Sequence, residues 1–362
     1  MRRRLLPLLL LALACGQATP TRLGLLVPLT GPLAARGHEM RTALDLALAE
    51  LPESRRPEVL QADTEGSARR TTSAFAELVA EGASVVLGPL TTDEVEAASL
   101  LARSERVPCV APAATGADVG EADGWMVRTC YADDDAARAL AGWARMTLHL
   151  ERVATIVDLR SGYSLGLARA FSREFSRLNG RIVGEVPYHA GGADVPPALD
   201  AAAALDVEGV LVAGYAPDIL VMVESAHDPR VAGLVLLGGD GWGGGTLDRA
   251  LAGRVRGAYH TRHFDPSSDE PVVREFVARW RAATGEMPSD AAALTYDAAR
   301  VVLALLPPEP DVALLRQRLL GLRDRAGVTG MLTIDARGAS VRRSIFLEQL
   351  HATSGASIVA RL

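Results

Sequence analysis

From residue 22 onward the chain alternates short apolar runs with helical patterns, at a spacing of roughly 20–30 residues. This regularity constrains the fold more than any single motif. RLGLLV (22–27), VLQAD (59–63), SVVLG (84–88), PCVAP (108–112) and WMVRT (125–129) read as strands. So do RVATIVD (152–158), RIVGEVPY (181–188), EGVLVAG (208–214), GLVLLGG (233–239) and VRGAYH (255–260). Between them lie helices, the first carrying Met40, Ala43, Leu44, Ala47, Leu48 and Leu51 at 3.6-residue spacing. Others are expected over 67–81, 92–104, 134–149, 165–178, 194–206, 216–227, 270–284 and 289–306, and near 311–321. The tail adds strand-like pieces at 331–335, 344–350 and 357–362. Such alternation builds parallel sheets from right-handed βαβ units. There are too many strands for one compact sheet, so 362 residues predict an α/β protein of two Rossmann-like lobes.

Composition narrows the chemistry. All 38 basic residues are Arg, which removes Schiff-base catalysis and the usual P-loop, both of which need Lys. A net charge of −6 leaves no basic field for nucleic acid. Aromatics are only 4%, so the core rests on Leu, Val and Ala, as suits buried parallel strands.

Residues 1–15, MRRRLLPLLLLALAC, place three Arg before an apolar stretch too short to span a bilayer. Small residues then precede Cys15, a pattern that resembles the lipobox of bacterial lipoproteins, with Ala12 in place of the commoner Leu. The resemblance implies cleavage of a signal peptide, lipidation of Cys15 and a protein exported and tethered at a membrane surface. Of the other cysteines, Cys109 and Cys130 could pair in an oxidising compartment, but Cys109 sits in an apolar run that equally suits a buried thiol.

Ligands of such sheets bind beyond the C-terminal strand ends. The segments there are VPLTGPLAARG (27–37), GPLTTDE (88–94), APAATG (111–116), LRSGYSLG (159–166), GYAPD (214–218) and GDGWGGG (239–245). Thr91 and Glu94 form a capping box for the helix that follows. Thr92 and that helix's N-terminus make a candidate carboxylate site, weakened somewhat by Asp93 and Glu94.

In the order and spacing of these turns, and in the late GVTGMLTID (327–335), the chain resembles the extracytoplasmic solute-binding proteins of branched-chain and hydrophobic amino-acid ABC transporters, from about Arg22 to the C-terminus. The resemblance implies a type I periplasmic binding fold, with one lobe from 22–132 plus 263–341, the other from 133–262 plus 342–362, and a three-crossover hinge. It implies that Thr92, Ala113 and Thr115 hold a ligand carboxylate, that Asp240 and Tyr215 meet its ammonium, and that Tyr163 packs on the ligand. Arg36 stands where the family often has an aromatic; it is either a solvated charge or a contact to a polar ligand side chain. Trp242 walls the pocket or packs on the neighbouring glycine turn. The implied partners are a small ligand, an amino acid or related carboxylate, and permease and ATPase subunits. No metal, cofactor or catalysis is expected.

Two other readings stay open. The same fold serves as a ligand-sensing receptor module. Gly162-Tyr163-Ser164-Leu165-Gly166 also spells a nucleophile elbow with Ser164 at its centre, a short pattern in residues that are common here. His260, His263 and Asp265 lack helical metal-site spacing and are expected at the surface. GGDGWGGG lacks the spacing of a dinucleotide site.

Overall fold

The computed structural model describes residues 21–116, 123–243, 247–251, 253–307, 309–341, 343–351 and 355–362. The segment 1–15 with Cys15, and part of the 239–245 turn, lie outside them.

The first sheet collects β1 (Arg22–Val27), β2 (Glu58–Asp63), β3 (Val85–Leu87), β4 (Cys109–Ala111) and β5 (Met126–Arg128). They run parallel in the order β2-β1-β3-β4-β5. Their crossovers are α1 (Ala34–Ala49), α2 (Ala68–Ala80) and α3 (Thr92–Glu105). The chain then crosses to α4 (Asp133–Gly142) and a second sheet, with β6 (Arg152–Asp158), α5 (Gly162–Arg177), β7 (Arg181–Tyr188), α6 (Ala198–Ala203), β8 (Gly209–Ala213), α7 (Ala216–Ser225), β9 (Val235–Gly238), α8 (Leu247–Leu251) and β10 (Gly257–Arg262). It returns through α9 (Pro271–Thr284), α10 (Asp290–Leu305) and α11 (Val312–Leu320), of which α10 packs on α1. A small antiparallel sheet follows, from β11 (Arg325–Gly327), β12 (Gly330–Ile334) and β13 (Ser340–Val341). A last crossing delivers β14 (Phe346–His351) and β15 (Gly355–Arg361) to the second sheet, in the order β15-β14-β10-β9-β8-β6-β7.

Two features depart from the expected all-parallel sheets. β14 and β15 pair antiparallel at the edge of the second sheet, and β11–β13 form a sheet of their own. Consecutive short strands with no intervening helix have no crossover to reverse them, so they fold back as hairpins. The helix expected over 134–149 is regular only to Gly142; a π-turn, Trp143–Thr147, completes it.

Each central strand feeds two cores. Leu23, Leu25 and Val27 of β1 pack with α1 and α10, while Leu26 packs with Phe75 and Leu78 of α2 and Val95 of α3. Ala154 and Ile156 of β6 face one side of the second sheet, and Val153 and Val157 the other. Burial of a Leu or Val side chain is worth about 1.5–3 kcal/mol. A period-2 strand with no polar position therefore requires helices on both faces, and the chain supplies them. Close packing of α1 on its strand depends on Gly37, where a Cβ would collide with the Pro28 carbonyl. Gly88 ends β3 at φ 112°, a left-handed conformation that also leaves no room for a side chain beside Leu26.

Candidate functional site

A cleft of about 360 Å³ opens between the two sheets at their C-terminal ends. It receives Thr92, Ala113, Thr115, Tyr163, Tyr215, Asp240 and Arg36, seven of the residues singled out from the sequence.

The first wall is built on a helix start. Thr91 caps α3: its Oγ1 accepts the Glu94 N–H at 3.3 Å, and Glu94 accepts the Thr91 N–H at 2.9 Å. Thr92 comes next and faces the cleft; its Oγ1 accepts the Gly116 N–H at 3.1 Å, tying the loop of Ala113 and Thr115 to the helix. Glu94 is turned into the protein interior. It is fully buried, it takes hydrogen bonds from Thr64 as well as Thr91, and burial raises its pKa. Asp93 is likewise committed elsewhere. Its carboxylate reaches across the cleft to the start of α5, accepting the Gly162 N–H at 2.6 Å and the Ser161 hydroxyl at 2.9 Å. A carboxylate at a helix N-terminus is well placed, so this contact joins the two lobes.

The second wall is acidic and aromatic. The Tyr163 and Tyr215 rings stack at 5.1 Å. The Tyr163 hydroxyl donates to Asp240 Oδ1 at 3.2 Å and accepts the Gly241 N–H at 3.1 Å. Burial, followed by the Asp240 charge, holds the Tyr163 phenol well above its usual pKa, so the ring stays neutral. The other Asp240 oxygen lies 3.3 Å from His263 Nε2. His263 is buried, its ring stacked 3.6 Å from Tyr131.

Behind this wall lies Asp133, the first residue of α4, whose backbone N–H donates to the Thr115 carbonyl at 2.8 Å. Its carboxylate is buried with neither oxygen in a hydrogen bond, although Thr115 lies close enough to ease the charge. Burial, and then the neighbouring Asp240 charge, push its pKa up to about 8.

The cleft is also lined by the apolar Pro32, Leu33, Leu90, Ala291 and Leu294, with Glu39 and Asp290 beside them. Arg36 belongs to its rim but is occupied. One amino group donates to Glu39 at 2.9 Å and another to the Gly243 carbonyl on the opposite lobe. Its guanidinium thus lines the cleft while tied to both lobes.

Two expectations are corrected. Trp242 does not wall the cleft. Its ring is 1% exposed in the core of the second sheet, and its Nε1 donates to the Val212 carbonyl at 3.0 Å. The ring lies against Gly238, where a Cβ would collide with it. His260 and His263 are not at the surface. His260 Nε2 bonds Glu348 at 2.8 Å, and Glu348 also pairs with Arg262, which in turn holds Asp290 at 2.8 Å. No group of three metal-ligating side chains is found among the described residues. Of the alternatives for the cysteines, the structure shows the buried thiol: Cys109 and Cys130 are free and donate to the carbonyls of Gly88 and Ala114. Ser164 of the elbow-like pattern is buried as well. Its Oγ accepts the Asp158 N–H at 2.8 Å and donates to the Ala213 carbonyl, so it fastens α5 to the sheet.

Sequence reasoning missed His263, Asp133 and the α10 residues Asp290, Ala291 and Leu294. His263 had a signal: it directly follows β10, but only if that strand is extended to Arg262. Asp133 looks like one of three Asp opening a helix, and nothing local marks it as buried.

Residues 20–355 match the periplasmic binding protein family. The chain belongs to this family. It is 30% identical over 228 residues to the Leu/Ile/Val-binding protein BraC3 of Rhizobium johnstonii, covering 60% of this chain and 61% of that one. Among solved structures, the leucine-binding protein LivK of Thermotoga maritima superimposes with a TM-score of 0.88 at 25% identity, over 94% of this chain and 98% of that one. A solute-binding protein of an R. palustris ABC transporter, in complex with benzoate, gives a TM-score of 0.83 at 19% identity, over 95% and 96%. The type I periplasmic binding fold is thus shared across this group, whose members are solute-binding proteins rather than enzymes. The family implies export, and no described helix is long and apolar enough to cross a membrane.

Proposed function

We propose that this periplasmic binding protein captures an α-amino acid with an apolar side chain and delivers it to the permease of an ABC importer. One observation carries the reading: the cleft sets a helix start with Thr92 and Thr115 on one wall against the Asp240 carboxylate on the other. A zwitterion needs an anion site and a cation acceptor held apart in this way, and helix N-termini favour carboxylates. Charge-assisted hydrogen bonds strengthen when water is excluded, which is what closure of the lobes does. Arg36 is paired with Glu39 and the Gly243 carbonyl, and Pro32, Leu33, Leu90, Ala291 and Leu294 offer apolar surface to a hydrocarbon side chain. In the same reading, Cys15 carries a lipid that keeps the protein beside its permease.

A second reading is a carboxylate without an amine, favoured by the His263 ring that already contacts Asp240. Thermal-shift and calorimetric titration of the purified protein with L-leucine, L-valine, L-phenylalanine, L-glutamate and 4-methylpentanoate separates the two. A ligand at 100 times its Kd stabilises by about 2.7 kcal/mol, an easily measured shift. Binding of the apolar amino acids with 4-methylpentanoate silent is expected. Binding of 4-methylpentanoate alone overturns the zwitterion site.

A further inference from the structure

Asp240 is the carboxylate on which the zwitterion reading depends, and its two oxygens have different partners. Tyr163 holds Oδ1 with a neutral hydroxyl. His263 holds Oδ2 with a group that can be neutral or cationic. An imidazole ordinarily changes charge between pH 5 and 8. We propose that His263 is a proton-operated specificity residue: a neutral ring leaves the Asp240 charge to a ligand ammonium, and a protonated ring cancels it and admits carboxylates that lack an amine. The proposal rests on the cleft reading above.

The ring is held where this role requires. Its side chain is 2% exposed, it lines the cleft, and it stacks on Tyr131 with planes 23° apart. Its backbone N–H donates to Asp290 at 2.9 Å, which fixes the chain beneath it. The surrounding charges leave the pair in control. Asp290 is matched by Arg262, and Arg262 is shared with Glu348, which also binds His260. Burial keeps the Tyr131 and Tyr163 phenols neutral. Asp133 is buried nearby, and burial with the Asp240 charge pushes its pKa up to about 8, so below pH 7 it is uncharged and adds no charge beside Asp240. Inside a cleft closed from water, and below the range in which Asp133 ionises, one proton on His263 therefore decides whether Asp240 presents a charge.

The sign follows from linkage. An ammonium beside Asp240 repels a protonated His263, so a ligand that carries one binds the neutral-ring form and releases a proton when the ring was charged. Its affinity is level above the imidazole titration and falls up to about tenfold per pH unit below it. A carboxylate without an amine leaves Asp240 uncompensated unless the ring is protonated, so its affinity rises as pH falls.

The test is calorimetric titration of the protein and its His263→Gln variant with L-leucine and with 4-methylpentanoate between pH 5 and 7, below the range in which Asp133 ionises. Gln keeps an N–H donor near Asp240 and does not titrate. Expected are leucine affinity that rises with pH in the wild type and is flat in the variant, and the opposite slope for 4-methylpentanoate. Equal pH profiles in the two proteins overturn the proposal. A ligand-independent measurement stands beside it: NMR titration of the His263 ring, alone and in Asp240→Asn. The ring is expected to protonate at lower pH in the variant, and an unmoved titration overturns the proposal whatever binds. If leucine fails at every pH while 4-methylpentanoate tightens towards low pH and the ring titration moves, the amino-acid reading falls and the role of His263 stands.

Discussion

The two walls of the cleft are built by different physics. The first is local and neutral: a capping box, a threonine at the first helical position and the loop clipped to it by Gly116. Its acidic neighbours are used elsewhere, Glu94 inward on Thr64 and Asp93 across to α5. The second is long-range and charged. Asp240 follows β9, Tyr163 opens α5, His263 follows β10 and Asp133 begins α4, and they meet only because the second sheet brings these ends together. A wall made of one helix start degrades gradually, because its parts are redundant. A wall focused on one carboxylate fails at once when that group is removed.

That contrast can be broken in four ways. The largest effect is expected for Asp240→Ala, which should cost about 2–3 kcal/mol, roughly 30–150-fold in leucine affinity by calorimetry. Unchanged affinity would show that Asp240 faces no ammonium. Next comes Asp133→Asn, which acts on stability. The folded Asp133 pKa, about 8, lies well above the ordinary carboxylate range. The folded state thus holds a proton that the unfolded chain gives up, and the carboxyl costs stability progressively as pH rises from that range to about 8. Removing the charge should stabilise the protein by on the order of 2 kcal/mol at pH 8 and by little near pH 4. Urea unfolding at the two pH values checks this; an equal gain at both would mean that Asp133 is charged at neither or both. Thr92→Ala is expected to cost only about 1 kcal/mol in leucine affinity, because the helix terminus and Thr115 remain. A loss as large as that of Asp240→Ala would contradict the redundancy of the first wall. The smallest effect belongs to Asp93→Ala, which removes the contact from α3 to the start of α5 while Ser161 still caps that helix. It should cost about 0.5–1 kcal/mol, seen as a few-fold faster ligand dissociation in stopped flow.

Much of this architecture was legible because it is written in local signals. The strand RVATIVD is observed over Arg152–Asp158, and the helix expected over 92–104 spans Thr92–Glu105. The Thr91–Glu94 capping box needs only four consecutive residues, so the position of Thr92 followed from the sequence. The loops just past each strand were marked by the alternation, where α/β sheets expose their loops, but Tyr163, Tyr215 and Asp240 within them were picked out by the family resemblance. The same search missed His263 because the edge of β10 falls two residues later than its apolar run suggests.

The sequence by itself determined the two-lobed α/β class, most of its strands and helices and the loops that face the cleft, because apolar runs and helix caps act over a few residues; the antiparallel pairing of β14 and β15 and the separate β11–β13 sheet were not legible in it. Only the tertiary structure decided what each polar side chain meets there. Trp242 could pack inward because Gly238 lies beneath its ring. Arg36 meets the Gly243 carbonyl, some two hundred residues away on the other lobe. The charge state of Asp133 is set by burial, and its first neighbour in charge is Asp240, from another element. Electrostatic free energy depends on distance and on exclusion of water, and neither quantity exists until the chain has folded.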